Sequence, residues 1–377
     1  MPQRPRTLGN CLLLTVLMVS TGCGWFRANP ESGRAIALPP LSARMKGMTE
    51  AGYTPNVFNS PAVTNSITHL HQDGVTWLAI QTAWYQNTNA STTIFPSSKK
   101  TPTDAKVTRL IQLAHHEGMR VFLNPFVNSL QGSGWQALFH PASVSAWFKS
   151  FDAYTAHYAK LAQADHADLF SIGDEFDSLD TVPAYQPYWV HAIQIARKYY
   201  HGPITYGADY PNYQQVTFWA QLDDVGVDAY FPLSQSPTPT VGLLTASWNS
   251  LANQIQSWRQ STGLSQKPFL ITELGYPSEN GAAATPGSWY PNRAVNLTLQ
   301  QHLYQATFDS LWKRPWVKGI MWFWWANPSN PNWQGGPKDN GYTLRGKPAE
   351  SVLKDIFTAP HPSISATKIH APDTQTP

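Results

Sequence analysis

Eight short apolar runs of strand character recur along the chain, with helical segments between them, and this alternation restricts the fold more than any other feature. The runs occupy residues 45–49, 77–84, 120–127, 168–176, 203–209, 224–232, 268–276 and 319–326. Between them, apolar residues fall at helical spacing: Val107, Leu110, Ile111 and Ala114, then Trp147, Phe151, Tyr154, Tyr158 and Leu161, then Val190, Ile193 and Tyr200. Trp248, Leu251, Ile255 and Trp258 make a further stripe, as do Leu299, Leu303 and Ala306. Gly118, Gly202 and Gly263 stand where helices should stop before the next strand. Alternation of this kind, with no second composition zone, predicts an α/β fold with a single (β/α)8 TIM barrel over residues 44–358.

The flanks read differently. Arg4 and Arg6 precede the apolar run 11–19 and then Ser20-Thr-Gly-Cys23, an export signature too short for a permanent span. Residues 1–22 are therefore expected to be a signal peptide. The Gly22-Cys23 pair resembles a lipobox, with Ser20 where leucine is usual, so Cys23 is the expected lipidation site and membrane anchor. The mature protein is then a cell-surface or periplasmic lipoprotein, or is secreted. Residues 23–43 read as a flexible tether and 359–377, with Pro360, Pro362, Pro372 and Pro377, as a disordered tail. The only two cysteines are Cys11 and Cys23, which leaves the barrel without a disulfide or a thiolate metal site.

Composition narrows the partners. Charged residues are 13% and aromatic residues also 13%, and the formal charge of +3 drops to +1 without Arg4 and Arg6, so nothing attracts a phosphate backbone and no nucleic-acid partner is expected. Many aromatics with few charges suit a neutral, weakly hydrated ligand such as a sugar ring, or a large aromatic core.

Two of the eight runs end in glutamate: Asp168-Leu-Phe-Ser-Ile-Gly-Asp-Glu175-Phe and Pro268-Phe-Leu-Ile-Thr-Glu273-Leu-Gly-Tyr276. In a parallel barrel the strand C-termini converge on one face, where two glutamates about a hundred residues apart can meet. Two facing carboxyl groups are what glycosidic-bond hydrolysis requires, one donating a proton and the other acting as nucleophile or base.

Lys46-Gly-Met-Thr49, Thr82-Ala-Trp-Tyr-Gln86, Thr101-Pro-Thr-Asp104, Ala114-His-His-Glu-Gly118, Ile172-Gly-Asp-Glu175, Gly226-Val-Asp-Ala-Tyr-Phe-Pro-Leu233 and Ile271-Thr-Glu-Leu-Gly-Tyr276 together resemble glycoside hydrolase family 113. The resemblance covers roughly residues 44 to 357. It implies a retaining glycosidase of the large (β/α)8 clan, mainly endo-β-1,4-mannanase, with Glu175 as acid/base and Glu273 as nucleophile. It also implies Tyr230 as the tyrosine that orients the nucleophile, and Trp84 and Tyr85 as an aromatic pair of the substrate groove. Much of the clan has Asn before the acid/base, bound to the sugar 2-hydroxyl. This chain has Asp174 there, which leaves the manno-versus-gluco preference open.

The run Gly319-Ile-Met-Trp-Phe-Trp-Trp325 places Trp322 and Trp324 on one face by period two, and both are candidates for the sugar platform, Trp324 first. Asn124 and Asn128 are candidates for sugar hydroxyls. His115 and His116 are adjacent on a helix and do not face one site, so no metal is expected there. No phosphate loop or Gly-x-Ser-x-Gly elbow occurs, and no cofactor is implied. The expected partner is a β-linked polysaccharide or oligosaccharide, met by a monomer. The alternatives are a non-catalytic carbohydrate-binding barrel at the cell surface and a glycosidase of the same mechanism acting on another β-glycan.

Overall fold

The computed structural model describes residues 36–132, 134–288, 292–325 and 335–359. The expected signal peptide, Cys23 and nearly all of the expected tail lie outside the described residues.

In chain order the regular elements are β1 Met45–Ala51, α1 Pro61–Gln72, β2 Trp77–Gln86, α2 Asp104–His116, β3 Arg120–Ser129, α3 Val144–Ala164, β4 Leu169–Asp174, the single turn α4 Asp177–Asp180, α5 Gln186–Tyr199, β5 Ile204–Asp209, β6 Val225–Asp228, α6 Val241–Ser261, β7 Phe269–Leu274, α7 Leu297–Asp309, β8 Val317–Trp322 and α8 Pro348–Thr358. The eight strands pair in parallel and in chain order into a closed barrel, with β8 returning to β1. The slot after β5 departs from simple alternation: among the described residues it holds two 3-10 turns, Tyr213–Gln215 and Trp219–Gln221, in place of an α-helix. Phe218 fills that slot by stacking on Trp189 of α5 at 4.9 Å.

The helix starts follow capping chemistry. Ser60, Ser143, Thr240 and Asn296 each accept a backbone N–H of the helix they precede. Gly118 and Gly263 take the left-handed conformation just past their helices, with φ of +75° and +74°. Gly202 serves a different purpose. A Cβ there would lie 2.2 Å from the Tyr200 hydroxyl, so its smallness admits the phenol that donates to the Ala167 carbonyl.

Inside the barrel the strands alternate, with one set of residues facing the axis and the other facing the helices. The inward set at the N-terminal end is Met45, Trp77, Ala79, Phe122, Leu169, Leu270 and Met321, an apolar plug with every member at most 1% exposed. The outward set packs into the large barrel-to-helix core. Residues 36–43, expected to be part of a tether, instead touch the barrel: Arg120 donates to the Pro39 carbonyl at 2.6 Å, and the Ile36 amide lies 3.4 Å from the His116 carbonyl.

Candidate active site

Above the apolar plug the inward positions turn polar: Gln81 on β2, Asn124 on β3, Asp209 on β5 and Asp228 on β6 continue the alternation. On β4 and β7 strict alternation would not deliver the acids. Leu169 and Leu270 point inward, so Asp174 is of the wrong parity on β4 and Glu273 on β7. Register shifts between Ser171 and Asp174, and beside Glu273 on both of its neighbouring strands, turn these residues toward the axis. A bulge re-aims a side chain in this way without breaking the barrel.

Glu175 follows directly after β4 with a left-handed φ of +48°, uncommon for a residue with a Cβ. The turn is held on both sides. The Glu175 amide donates to the Gly207 carbonyl at 2.8 Å, and the Phe176 amide donates to the Tyr206 hydroxyl at 2.7 Å. Tyr206 in turn donates to Asp180 at 2.6 Å.

Glu175 and Glu273 line the same cavity of about 800 Å³, together with Tyr53, Trp135, Tyr230, Phe323 and Tyr342. The two glutamates are set differently. Tyr230 donates its hydroxyl to Glu273 at 2.9 Å, and Gln81 donates its amide to the other oxygen. Glu175 receives one such bond, from the Trp135 indole at 2.7 Å. Burial, then Asp209, Asp174 and Glu273, push the Glu175 carboxyl well above its ordinary range, and Trp135 opposes the rise. Burial and Asp174 push Glu273 up as well, but Tyr230 and Gln81 pull it back. With two donors against one, Glu273 is the better carboxylate and Glu175 the better proton carrier.

Further acids crowd the same end. Asp174, Asp228 and Glu273 bring one oxygen each within 4.8 Å of one another, near enough for three ligands of a cation. Both Glu273 oxygens already accept protein donors, so the trio is better described as acids sharing protons. Asp228 is fully buried and neither of its oxygens receives a donor, while burial and the charges of Asp174 and Glu273 push its carboxyl well up. A proton on Asp228 would let it donate to Asp174 and so relieve the contact between the two carboxyls. Asp174 is itself pushed up to about 6, chiefly by burial, with Asp228 and Asn124 acting against the rise. Gly207 makes room for the pair, since a Cβ there would sit 2.3 Å from Asp174 and 2.9 Å from Asp228. At the cavity wall Asp209 is pushed up to about 8 by burial and Asp177.

The aromatic candidates separate. Phe323 lines the cavity, and Trp324 lies beneath it, stacked at 4.5 Å and 1% exposed. Trp322 points away from the cavity, between Tyr304 at 4.2 Å and Phe308 of α7, because Met321 takes the inward position on β8. Trp84 likewise faces α3, against Tyr154, His157 and Tyr158. Tyr85 is inward but covered, packed with Ala83 against Phe126, which itself lines the cavity. Asn124 is buried beside Asp174, and Asn128 lines the cavity. Gln81, Asp209, Asp228 and Trp135 were not singled out from the sequence. The first three had a signal: Gln81 continues the inward parity of Trp77 and Ala79, and Gly-Ala-Asp209 and Gly-Val-Asp228 end strands as Glu175 and Glu273 do.

A parallel eight-stranded barrel whose fourth and seventh strands deliver two glutamates to one cavity defines a glycoside hydrolase. The chain belongs to glycoside hydrolase family 113, whose family model matches residues 51–347. A solved GH113 β-1,4-mannanase complex is similar to it at 26% identity and a TM-score of 0.73, covering 84% of this chain and all of the other. The GH113 β-mannanase of Alicyclobacillus acidocaldarius, solved with ManMIm, is similar at 25% identity and a TM-score of 0.74, covering 84% of this chain and 97% of the other. A β-glucuronidase of Faecalibacterium prausnitzii shares the fold at 15% identity and a TM-score of 0.58, covering 84% of this chain and 49% of the other. No curated protein matches the chain.

Proposed function

We propose that this glycoside hydrolase is a retaining endo-β-1,4-mannanase acting on mannan or glucomannan. The observation that carries the reading is the unequal treatment of the two glutamates: Glu273 held by Tyr230 and Gln81, Glu175 surrounded by acids and held by Trp135 alone. The similarity to β-1,4-mannanases supports the substrate class.

In this reading Glu175 gives its proton to the glycosidic oxygen as the bond to C1 breaks and a Glu273 oxygen bonds to C1. The leaving sugar departs with that proton. Glu175, now a carboxylate, takes a proton from water as the water oxygen displaces Glu273 from C1, which restores both groups and the original anomeric configuration. Asp174 can accept from the 2-hydroxyl, and its remaining lone pairs hold the proton shared with Asp228. Hydrolysis of mannan, glucomannan, cellulose and xylan oligosaccharides by the purified protein tests the assignment. Faster turnover of the manno-series supports it, a preference for another β-glycan redirects it, and binding without cleavage would favour a carbohydrate-binding barrel.

Export, with residues 1–22 removed and the protein either lipidated at Cys23 or secreted, belongs to the same proposal and rests on the leader residues; a monomeric state is proposed with it. Among the described residues no helix is long and apolar enough to cross a membrane. Mass spectrometry of the cell-derived protein checks this, since an intact Met1 would contradict it.

A further inference from the structure

Trp135 combines two properties seldom found in one side chain. Its indole N–H donates to Glu175 Oε2 at 2.7 Å, yet the residue is 43% exposed and its side chain forms part of the cavity wall. A tryptophan placed only for packing would be covered, as Trp147, Trp189 and Trp248 are. A residue placed only to hold a carboxylate would not need a large open ring. The position is also directional. A proton donor to the glycosidic oxygen lies on the leaving-group side of the scissile bond, so a ring bonded to that donor borders the space of the departing sugar.

We propose that Trp135 is a positioning and specificity residue, its indole N–H fixing one oxygen of Glu175 and its exposed ring receiving the apolar face of the leaving-group sugar. This rests on the assignment of Glu175 as acid/base. The N–H occupies Oε2, so the transferable proton sits on Oε1, and the carboxyl is held in one rotamer. The bond also favours the carboxylate, which offsets part of the rise caused by burial, Asp209, Asp174 and Glu273. Among the described residues the groups facing Glu175 are acidic or neutral: Asp174 from β4, Asp209 from β5, Asp228 from β6, Tyr230 just beyond it, Glu273 from β7, and Tyr342. Trp135 is the side chain that opposes the rise in this set. Among the described residues the one cation on the cavity wall, Arg293, bonds instead to Thr285 and lies near Glu279.

Trp135→Phe and Trp135→Ala separate the two parts of the proposal. Phenylalanine keeps a ring and loses the N–H, whereas alanine loses both. Carboxyl NMR titration of Glu175 in labelled protein needs no turnover, so it stands even if the mannanase reading fails. The midpoint should move upward in both variants, and a midpoint unchanged in Trp135→Phe would overturn the N–H contact.

Kinetics with mannopentaose and with β-mannobiosyl fluoride, whose leaving group is not a sugar, test the ring. Trp135→Ala should raise KM for mannopentaose by about tenfold and leave KM for the fluoride unchanged, while Trp135→Phe keeps both near parental values. An unchanged mannopentaose KM in Trp135→Ala, or an equal rise with both substrates, would overturn the sugar contact. Failure of the parent protein to cleave either substrate would count against the mannanase reading and with it the sugar contact, leaving the titration to decide the N–H contact.

Discussion

At the N-terminal end of the barrel the inward positions carry Met45, Trp77, Phe122, Leu270 and Met321; further along the same closed sheet they carry Gln81, Asn124, Asp209 and Asp228, joined by Asp174 and Glu273. The lower layer is what folding alone would select. Burying a large apolar side chain stabilises the fold by about 1.5–3 kcal/mol, and these side chains do so without leaving a polar atom to be matched, apart from the Trp77 indole N–H, which has no partner. The upper layer is the reverse. Burying several carboxyls side by side is costly unless they hold protons or accept donors. Two layers on one scaffold therefore divide the labour: the plug below stabilises the barrel, and the surplus maintains an acid cluster that only chemistry requires.

The largest effects should come from the upper layer. Glu175→Ala should lower mannan turnover by about 10²–10⁴-fold and spare substrates whose leaving group needs little protonation. Glu273→Ala should cost more on every substrate, because no glycosyl-enzyme can form, and azide should restore part of the rate. Equal losses on activated and natural substrates for Glu175→Ala would break the assignment of roles. In the lower layer, Phe122→Ala should destabilise the fold by about 3–5 kcal/mol in denaturant melts, with KM for the remaining folded enzyme unchanged. A changed KM would show that the layers are not separable.

Smaller effects sharpen the contrast. Asn at position 228 can donate to Asp174 as the protonated acid does, so Asp228→Asn should keep kcat/KM within about tenfold of the parent, a difference under about 1.4 kcal/mol. Asp228→Ala, which offers no donor, should lose more. Equal losses would mean that a charge on Asp228 is needed. Glu50, on the helix-facing side of β1, is a control outside the cavity. It is fully buried without a donor on either oxygen, and burial pushes its carboxyl up to about 8, against the opposing charge of Arg345.

A raised folded-state pKa means that its contribution to stability is present below the ordinary glutamate range and lost as pH rises toward 8. Asp174, Asp180 and Asp209, pushed up to about 6, 7 and 8, act in the same direction. The melting temperature should therefore fall between pH 5 and pH 8. Glu50→Gln, which cannot ionise, should melt about 2 °C above the parent at pH 8 and close to it at pH 5. The opposite ordering would mean that Glu50 is paired in the folded state.

The barrel and the two glutamates were legible because they rest on patterns local to each segment: apolar runs of strand length, helical stripes, and an acid where a run ends. The aromatic platform was not. Trp322 and Trp324 share a parity on paper, but which parity faces the axis depends on the barrel's closure, and Met321 takes the inward position. The ladder also ends at Trp322, so alternation does not carry into residues 323–325. Trp84 was assigned by resemblance, yet its neighbours Ala83 and Tyr85 hold the inward face. Asp174 and Glu273 reach the axis through bulges, which depend on neighbouring strands and leave no mark in a single run of residues. Trp135 sits on the loop after β3, and only the folded chain brings it to a glutamate 40 positions away.

The central claim is that Glu273 attacks the sugar while Glu175 handles the proton. Peptide mapping by mass spectrometry after incubation with a 2-deoxy-2-fluoro-β-mannosyl fluoride tests it most directly. The fluorine slows breakdown of the covalent intermediate, and fluoride leaves without needing an acid. The account predicts a single glycosyl adduct on the peptide containing Glu273, formed in Glu175→Ala as well and absent in Glu273→Ala. An adduct on Glu175, Asp209 or Asp228, or none from an enzyme that turns over mannan, would contradict it.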